Sequence, residues 1–139
     1  MSEVLNSVIT KVQNAKHAFC RFSTANDTGK NGSHQAGFYI PKCAAPLLFD
    51  TPGVKGKNKD KFVEVKWQDD FITDSRFIYY GQGTRNEYRI TRFGKNFPFF
   101  EEDNVGDLLI IAQYSETYYY GFVLQSDQDI DDFFAYFNL

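Results

Sequence analysis

"GTRNEYRITRFG", residues 83–94, holds three arginines and one glutamate within eight positions, in a chain whose formal net charge is only −3. Period-two alternation sends Arg85, Glu87, Arg89 and Thr91 to one side and Asn86, Tyr88, Ile90 and Arg92 to the other. Tyr88 and Ile90 can anchor a strand to a core. The opposite face is then wholly polar. Two readings of that face stay open. It is a solvated surface on which Glu87 bridges two arginines, or it is a face that reads DNA. Arginine suits the O6 and N7 acceptors of guanine, and a glutamate accepts from the amino group of cytosine.

Working outward, more strands follow. "KHAFCRFS" (16–23) alternates Ala18, Cys20 and Phe22 with polar or mixed neighbours, and "AGFYIP" (36–41) runs into a proline. "FVEVKW" (62–67) sets Phe62, Glu64 and Lys66 against Val63, Val65 and Trp67, a half-buried pattern. "RFIYYG" (76–81) is another strand. "LLIIAQYS" is apolar on both faces and predicts a central strand, with "TYYYGFVLQ" as its hairpin partner. Residues 2–14 predict a helix capped by Ser2, with Val4, Leu5, Val8, Ile9 and Val12 on one face. Ser126 caps a second, whose core face is Ile130, Phe133, Phe134 and Phe137. "AAPLLF" predicts one helical turn. Six or seven short strands between two short helices, without βαβ rhythm, point to a mainly β antiparallel barrel or sandwich.

The bulk numbers agree. At 139 residues and 42% hydrophobic the chain suits one domain with a real core, and 15 Phe and nine Tyr suit pleated sheets. No apolar run approaches the roughly 18 residues of a membrane span. The start has no secretory pattern and the two cysteines, Cys20 and Cys43, are too few for a disulfide scaffold, so we expect a cytoplasmic protein with both thiols buried and inert. Charge is unevenly spread. Residues 100–139 carry nine carboxylates and no Lys or Arg. Residues 16–42, 55–66 and 82–95 are each net basic. Three basic islands on an acidic chain fit a polyanion partner, because the local field at the contact face governs attraction.

Other chemistry is thinner. "TGKNG" within the loop 24–35 lacks the order of a phosphate-binding P-loop. That loop is a surface hairpin or a segment that enters a groove. Asp50 with Glu64-Val65-Lys66 matches the sparse carboxylate–lysine pattern of Mg²⁺-dependent nucleases, and a small nuclease using these residues is one alternative. A barrel with no nucleic-acid partner is another. His17, Cys20, His34 and Cys43 lack zinc-site spacing. Tyr118, Tyr119 and Tyr120 read as barrel wall.

"STANDTGKNGSHQAGFYIP" and "TRNEYRITRFG", together with "FFEEDNVGDLLIIA", the helix–strand beginning and the acidic terminal helix, resemble the N-terminal domain of EcoRII-like restriction endonucleases over most of the chain. The resemblance implies a DNA-binding pseudobarrel like that of plant transcription factors, forming one domain over residues 1–139 of a longer endonuclease. It implies two arms in the major groove. The first runs from Asn26 through Thr28, Lys30, Asn31, Ser33 and His34 to Gln35, with Tyr39 nearby. The second runs from Gln82 through Thr84, Arg85, Asn86, Glu87, Tyr88, Arg89 and Thr91 to Arg92. Lys30, Arg92 and Lys95 are expected on phosphates, and His34, Arg85, Glu87 and Arg89 on bases. Gly83 and Tyr88 depart from the basic residues expected there, and the loop Lys55–Lys66 is a candidate source of the missing charge. The implied target is duplex DNA carrying 5′-CCWGG, bound as an effector by a module of a type IIE enzyme. This domain is expected to be non-catalytic, monomeric when isolated and without a cofactor. Mg²⁺ and cleavage belong to a covalently linked C-terminal catalytic domain.

Overall fold

Strand β6 (Leu108–Gln113) is buried along its whole length because it has neighbours on both sides and cover on both faces. In this computed structural model, which describes residues 2–24, 37–94, 97–99 and 101–139, the strands form one sheet in the order β1-β6-β7-β3-β4-β5-β2. The other strands are β1 (His17–Phe22), β2 (Phe38–Ile40), β3 (Lys59–Trp67), β4 (Ile72–Tyr80), β5 (Glu87–Thr91) and β7 (Tyr118–Leu124). The expected β6–β7 hairpin forms, antiparallel, from Leu108 opposite Leu124 to Gln113 opposite Tyr119.

The sheet curls around its inner face. Val63, Val65, Trp67, Phe77, Tyr79, Tyr88, Ile90, Leu109, Ile111 and Tyr119 meet there with Leu47 and Leu48. Alternation along each strand sends these residues to one side. Leu108, Ile110, Phe122 and Leu124 point the other way. They pack under helix α1 (Glu3–Gln13) and helix α3 (Asp127–Phe137). Both predicted N-caps hold. Ser2 accepts from the Leu5 amide and Ser126 from the Asp129 amide, each at 3.1 Å. Ser2 Oγ also donates to the Asp129 carboxylate at 3.0 Å, joining the two helices.

The strand order leaves β1 and β2 as the two edges. Arg21 of β1 spans the gap. Its Nε donates to the Tyr39 carbonyl of β2 at 2.9 Å, and its guanidinium lies 4.9 Å from the Phe38 ring centre. Helix α2 (Ala45–Leu48), which leaves β2 through a 3-10 turn, packs against β1. A side chain and a short helix thus bridge the two edge strands, which makes the fold a mainly β pseudobarrel.

Several expectations need correction. One pairing, β3 with β7, is parallel, so the sheet is mixed. There are three α-helices, α2 being the turn expected at "AAPLLF". β3 and β4 begin earlier than the alternation suggested, and β5 is shorter, leaving Arg85 in the preceding turn and Arg92 beyond the strand. Cys43 is exposed; Cys20 is half-buried, and burial pushes its thiol pKa up.

The inner core tolerates little change at Gly121. A methyl there would sit 2.7 Å from the Trp67 ring, whose indole N–H is already held by Thr73 at 3.0 Å. Gly121→Ala is expected to lower stability by about 1–3 kcal/mol through overpacking. Urea unfolding checks this, and a variant as stable as the parent would show that Trp67 shifts freely.

Candidate nucleic-acid interface

β5 lies between β4 and β2. Its ladders set Arg89 opposite Ile78 on one side and Tyr39 on the other. Glu87 faces Tyr80 and Thr91 faces Arg76. Ladder partners share a face, so Tyr39, Arg76, Ile78, Tyr80, Glu87, Arg89 and Thr91 lie together on the side away from the inner core, with Ile78 buried among them. The helix-covered cluster draws nothing from β2, β4 or β5. The inward residues of β5, Tyr88 and Ile90, hold the strand in place. Tyr88 is 4% exposed, stacks 4.8 Å from the Tyr79 ring and accepts the Gly53 amide at 2.8 Å.

Tyr88 therefore leaves the set of expected contact residues. Its ring and hydroxyl are both used inside the core, as the strand alternation alone implied.

The outer face carries a charge network. Glu87 bridges two arginines. Arg85 Nε donates to Oε1 at 3.0 Å, with Arg85 Nη2 on the same oxygen, and Arg89 Nη2 reaches Oε2 at 3.4 Å. Burial pushes the Glu87 carboxyl pKa up. The Arg85 hydrogen bond and the charges of Arg89 and Arg85 outweigh it and hold the group below its ordinary value. Arg85 stacks 3.6 Å over Tyr80 with its side chain 45% exposed. Arg89 is 12% exposed and lies 5.9 Å from the Tyr39 ring centre, while Tyr39 itself is 43% exposed. Arg85 packs on the Tyr80 ring and Arg89 lies beside the Tyr39 ring, contacts that help to orient the two guanidinium groups.

The ends of this segment are tied to the barrel. Before β5, the Arg85 amide donates to the Gln82 carbonyl at 3.2 Å, closing a turn with Gly83 at φ +63°. Tyr79 donates its hydroxyl to Asn86 Oδ1 at 2.8 Å, which commits the Asn86 carbonyl to the scaffold. After β5, Arg92 adopts φ +67°, and its carbonyl accepts from Ser75 at 3.1 Å. Ser75 continues through Thr73 to Trp67. A buried polar chain thus fixes the exit conformation of Arg92, whose guanidinium lies 5.2 Å from the Phe62 ring centre.

Of the second-arm residues, Gln82, Thr84 and Arg85 are exposed in the turn, Glu87, Arg89 and Thr91 share the outer face, and Arg92 flanks it. The first-arm residues Asn26, Thr28, Lys30, Asn31, Ser33, His34 and Gln35, and also Lys95, lie outside the described residues. Sequence reasoning missed Arg76, which pairs with Asp60 at 2.7 Å on the same face. The signal was present once β4 is aligned with β5, since Arg76 falls opposite Thr91.

The alternative nuclease set does not assemble. Glu64 and Lys66 point outward from β3. Asp50 acts instead on Lys61 and Tyr119, whose side chains face inward. Lys66 lies 3.9 Å from Asp70. Among the described residues no three His, Cys, Asp or Glu side chains cluster as metal ligands.

Comparison with known proteins supports the same fold. The restriction endonuclease EcoRII N-terminal family model matches residues 12–135. The chain is 39% identical over 96 residues to the type II restriction enzyme EcoRII of Escherichia coli; the match covers 64% of this chain and 24% of that enzyme. Among solved structures, the B3 domain of UbaLAI restriction endonuclease, a triple mutant determined with cognate DNA, superposes with a TM-score of 0.57 at 19% identity, over 96% of this chain and 88% of that one. The Arabidopsis FUS3–DNA complex gives 0.50 at 15% identity, over 78% and 97%. The family model spans all seven strands, and the chain belongs to the EcoRII N-terminal domain family.

Proposed function

We propose that this chain is a non-catalytic module that binds duplex DNA sequence-specifically and serves as the effector domain of a longer restriction endonuclease. The observation that carries it is the Arg85–Glu87–Arg89 network on the outer face of β5. Its donors and acceptor match guanine and cytosine edges in the major groove. The DNA named with both structural relatives, and the enzyme named by the family, support duplex DNA as the partner. The expected target is 5′-CCWGG. The segment Gln82–Arg92 forms one arm and the loop Asn26–Gln35 the other, with Lys30, Arg92 and Lys95 on phosphates. The chain spans about a quarter of the EcoRII enzyme it matches. On this reading, cleavage with Mg²⁺ belongs to a linked catalytic domain.

Arg89→Ala is expected to weaken binding to a CCWGG duplex by about 1–3 kcal/mol and to relax discrimination at one G·C pair. Fluorescence anisotropy against single-pair variants of the site reads both effects. Unchanged affinity and discrimination would sink the assignment. The native chain should also show a slope of log K against log salt of about −4 to −5, for about five phosphate contacts. A slope near zero rules out a DNA grip.

The network has its own pH signature. A carboxyl held below its ordinary pKa stabilises the folded state above that ordinary value, and the contribution fades as pH falls through the lowered one. Glu87→Gln should therefore cost up to about 1 kcal/mol of stability at neutral pH. The gap to the parent should close in acid, well below the ordinary value of 4.5. Urea melts at neutral pH and in acid decide it; a gap that persists or widens in acid contradicts the charge network.

A further inference from the structure

The stretch 55–66 carries five lysines, but the fold puts them to different uses. Lys59 turns to the Thr51 carbonyl and hydroxyl at 2.9 and 2.8 Å and lies over Phe49. Lys61 donates to the Glu116 carbonyl at 2.8 Å among Phe49, Phe77 and Tyr119, and burial lowers its pKa despite neighbouring carboxylates. Lys66 sits beside Asp70 at the far end of β3. Lys55 and Lys57 remain. Both are exposed, and neither pairs with a carboxylate among the described residues.

Their loop is built into the base of the second arm. The Lys55 ammonium donates to the Gly81 carbonyl at 3.0 Å and also to the Gly83 carbonyl. The Gly56 amide donates to the Gly81 carbonyl at 2.8 Å. Asn58 Oδ1 accepts the amides of Gly81 and Gln82 at 2.9 and 3.3 Å. Loop 54–58 and turn 81–85 therefore form one hydrogen-bonded lobe, with Arg85 at its edge. An ammonium has three donors, and two carbonyls leave Lys55 one. Notional Cβ atoms on Gly56 and Gly83 meet only open space, so the surface of the lobe at these points is uncovered.

We infer that Lys55 and Lys57 form a second phosphate-binding element, which grips the DNA backbone beside the base-reading face and which Lys55 also uses to position the arm turn. This rests on the DNA-binding reading above. The ligand is the phosphodiester backbone itself, so the contribution is independent of base sequence. Lys57 acts by charge alone. Lys55 acts both by charge and by holding the Gly81 and Gly83 carbonyls that shape the turn leading to Arg85.

Salt titrations of binding, on a CCWGG duplex and on a mixed-sequence duplex, test this with Lys57→Ala, Lys55→Met and Lys66→Ala. Lys57→Ala should reduce the magnitude of the salt slope by about 0.9, which corresponds to roughly an eightfold loss of affinity at 0.1 M salt, equal on both duplexes. Lys55→Met should lose the same slope and also lower the ratio of affinities for the two duplexes, which mere loss of charge would not. Lys66→Ala should leave the slope unchanged. The inference is overturned if either Lys55→Met or Lys57→Ala keeps the native slope, or if Lys66→Ala lowers it as much. Failure of the native chain to bind either duplex overturns the DNA-binding reading as well, whereas native binding with unaltered variants removes only this one.

Discussion

β5 has no orientational freedom. It is hydrogen-bonded to β4 on one side and β2 on the other, and Tyr88 and Ile90 are driven into the core. A one-residue slip would bury Glu87 and Arg89 and expose Tyr88, so burial of the inner face fixes the register. The outward direction of Glu87, Arg89 and Thr91 follows from that. So does the cross-strand placement of Tyr39 and Arg76 around them. The charge network is thus a consequence of the packing of the opposite face.

That constraint accounts for how segment 82–92 can be polar and still ordered. Exposed ion pairs alone contribute little. Here the arginines are positioned by rings and by the strand, and the segment ends are held from the barrel by Tyr79, Ser75, Asn58 and Lys55. A site presented by a rigid sheet loses less conformational entropy on binding than a free loop of the same composition. The bland and the functional readings of Glu87 also turn out to be compatible. Glu87 does bridge two arginines, and their hydrogen bonds and charges outweigh the burial that favours its neutral form.

Legibility in the sequence followed the range of the interaction. Local signals were readable: the serine caps, the doubly apolar run of β6, and the alternation that separates Tyr88 and Ile90 from Glu87 and Arg89. Pairing direction was not, because a period-two pattern is the same in parallel and antiparallel ladders; hence the missed parallel pairing of β3 with β7. Arg76 joined the face only through its register with Thr91. Arg21 was counted as part of a basic island, while the fold uses it to span the two edge strands. The lysines of 55–66 could have been sorted earlier. Lys59 and Lys61 share the phase of Val63 and Val65, and starting β3 at Phe62 concealed it.

The same sheet separates the acidic part of the chain from the arginines of β4 and β5. α3 bears Asp127, Asp129, Asp131 and Asp132 and packs with α1 over the outer side of β6 and β7. The arginines lie on the outer side of β4 and β5, beyond β3 in the strand order. Charges separated by more than about one Debye length, roughly 8–10 Å at physiological salt, are largely screened from one another. The carboxylates of α3 weigh heavily in the net charge of the molecule, while the arginines of β4 and β5 set the charge of their own face. The two outer patches of the sheet thus differ in the sign of their local charge, a difference that the net charge alone conceals.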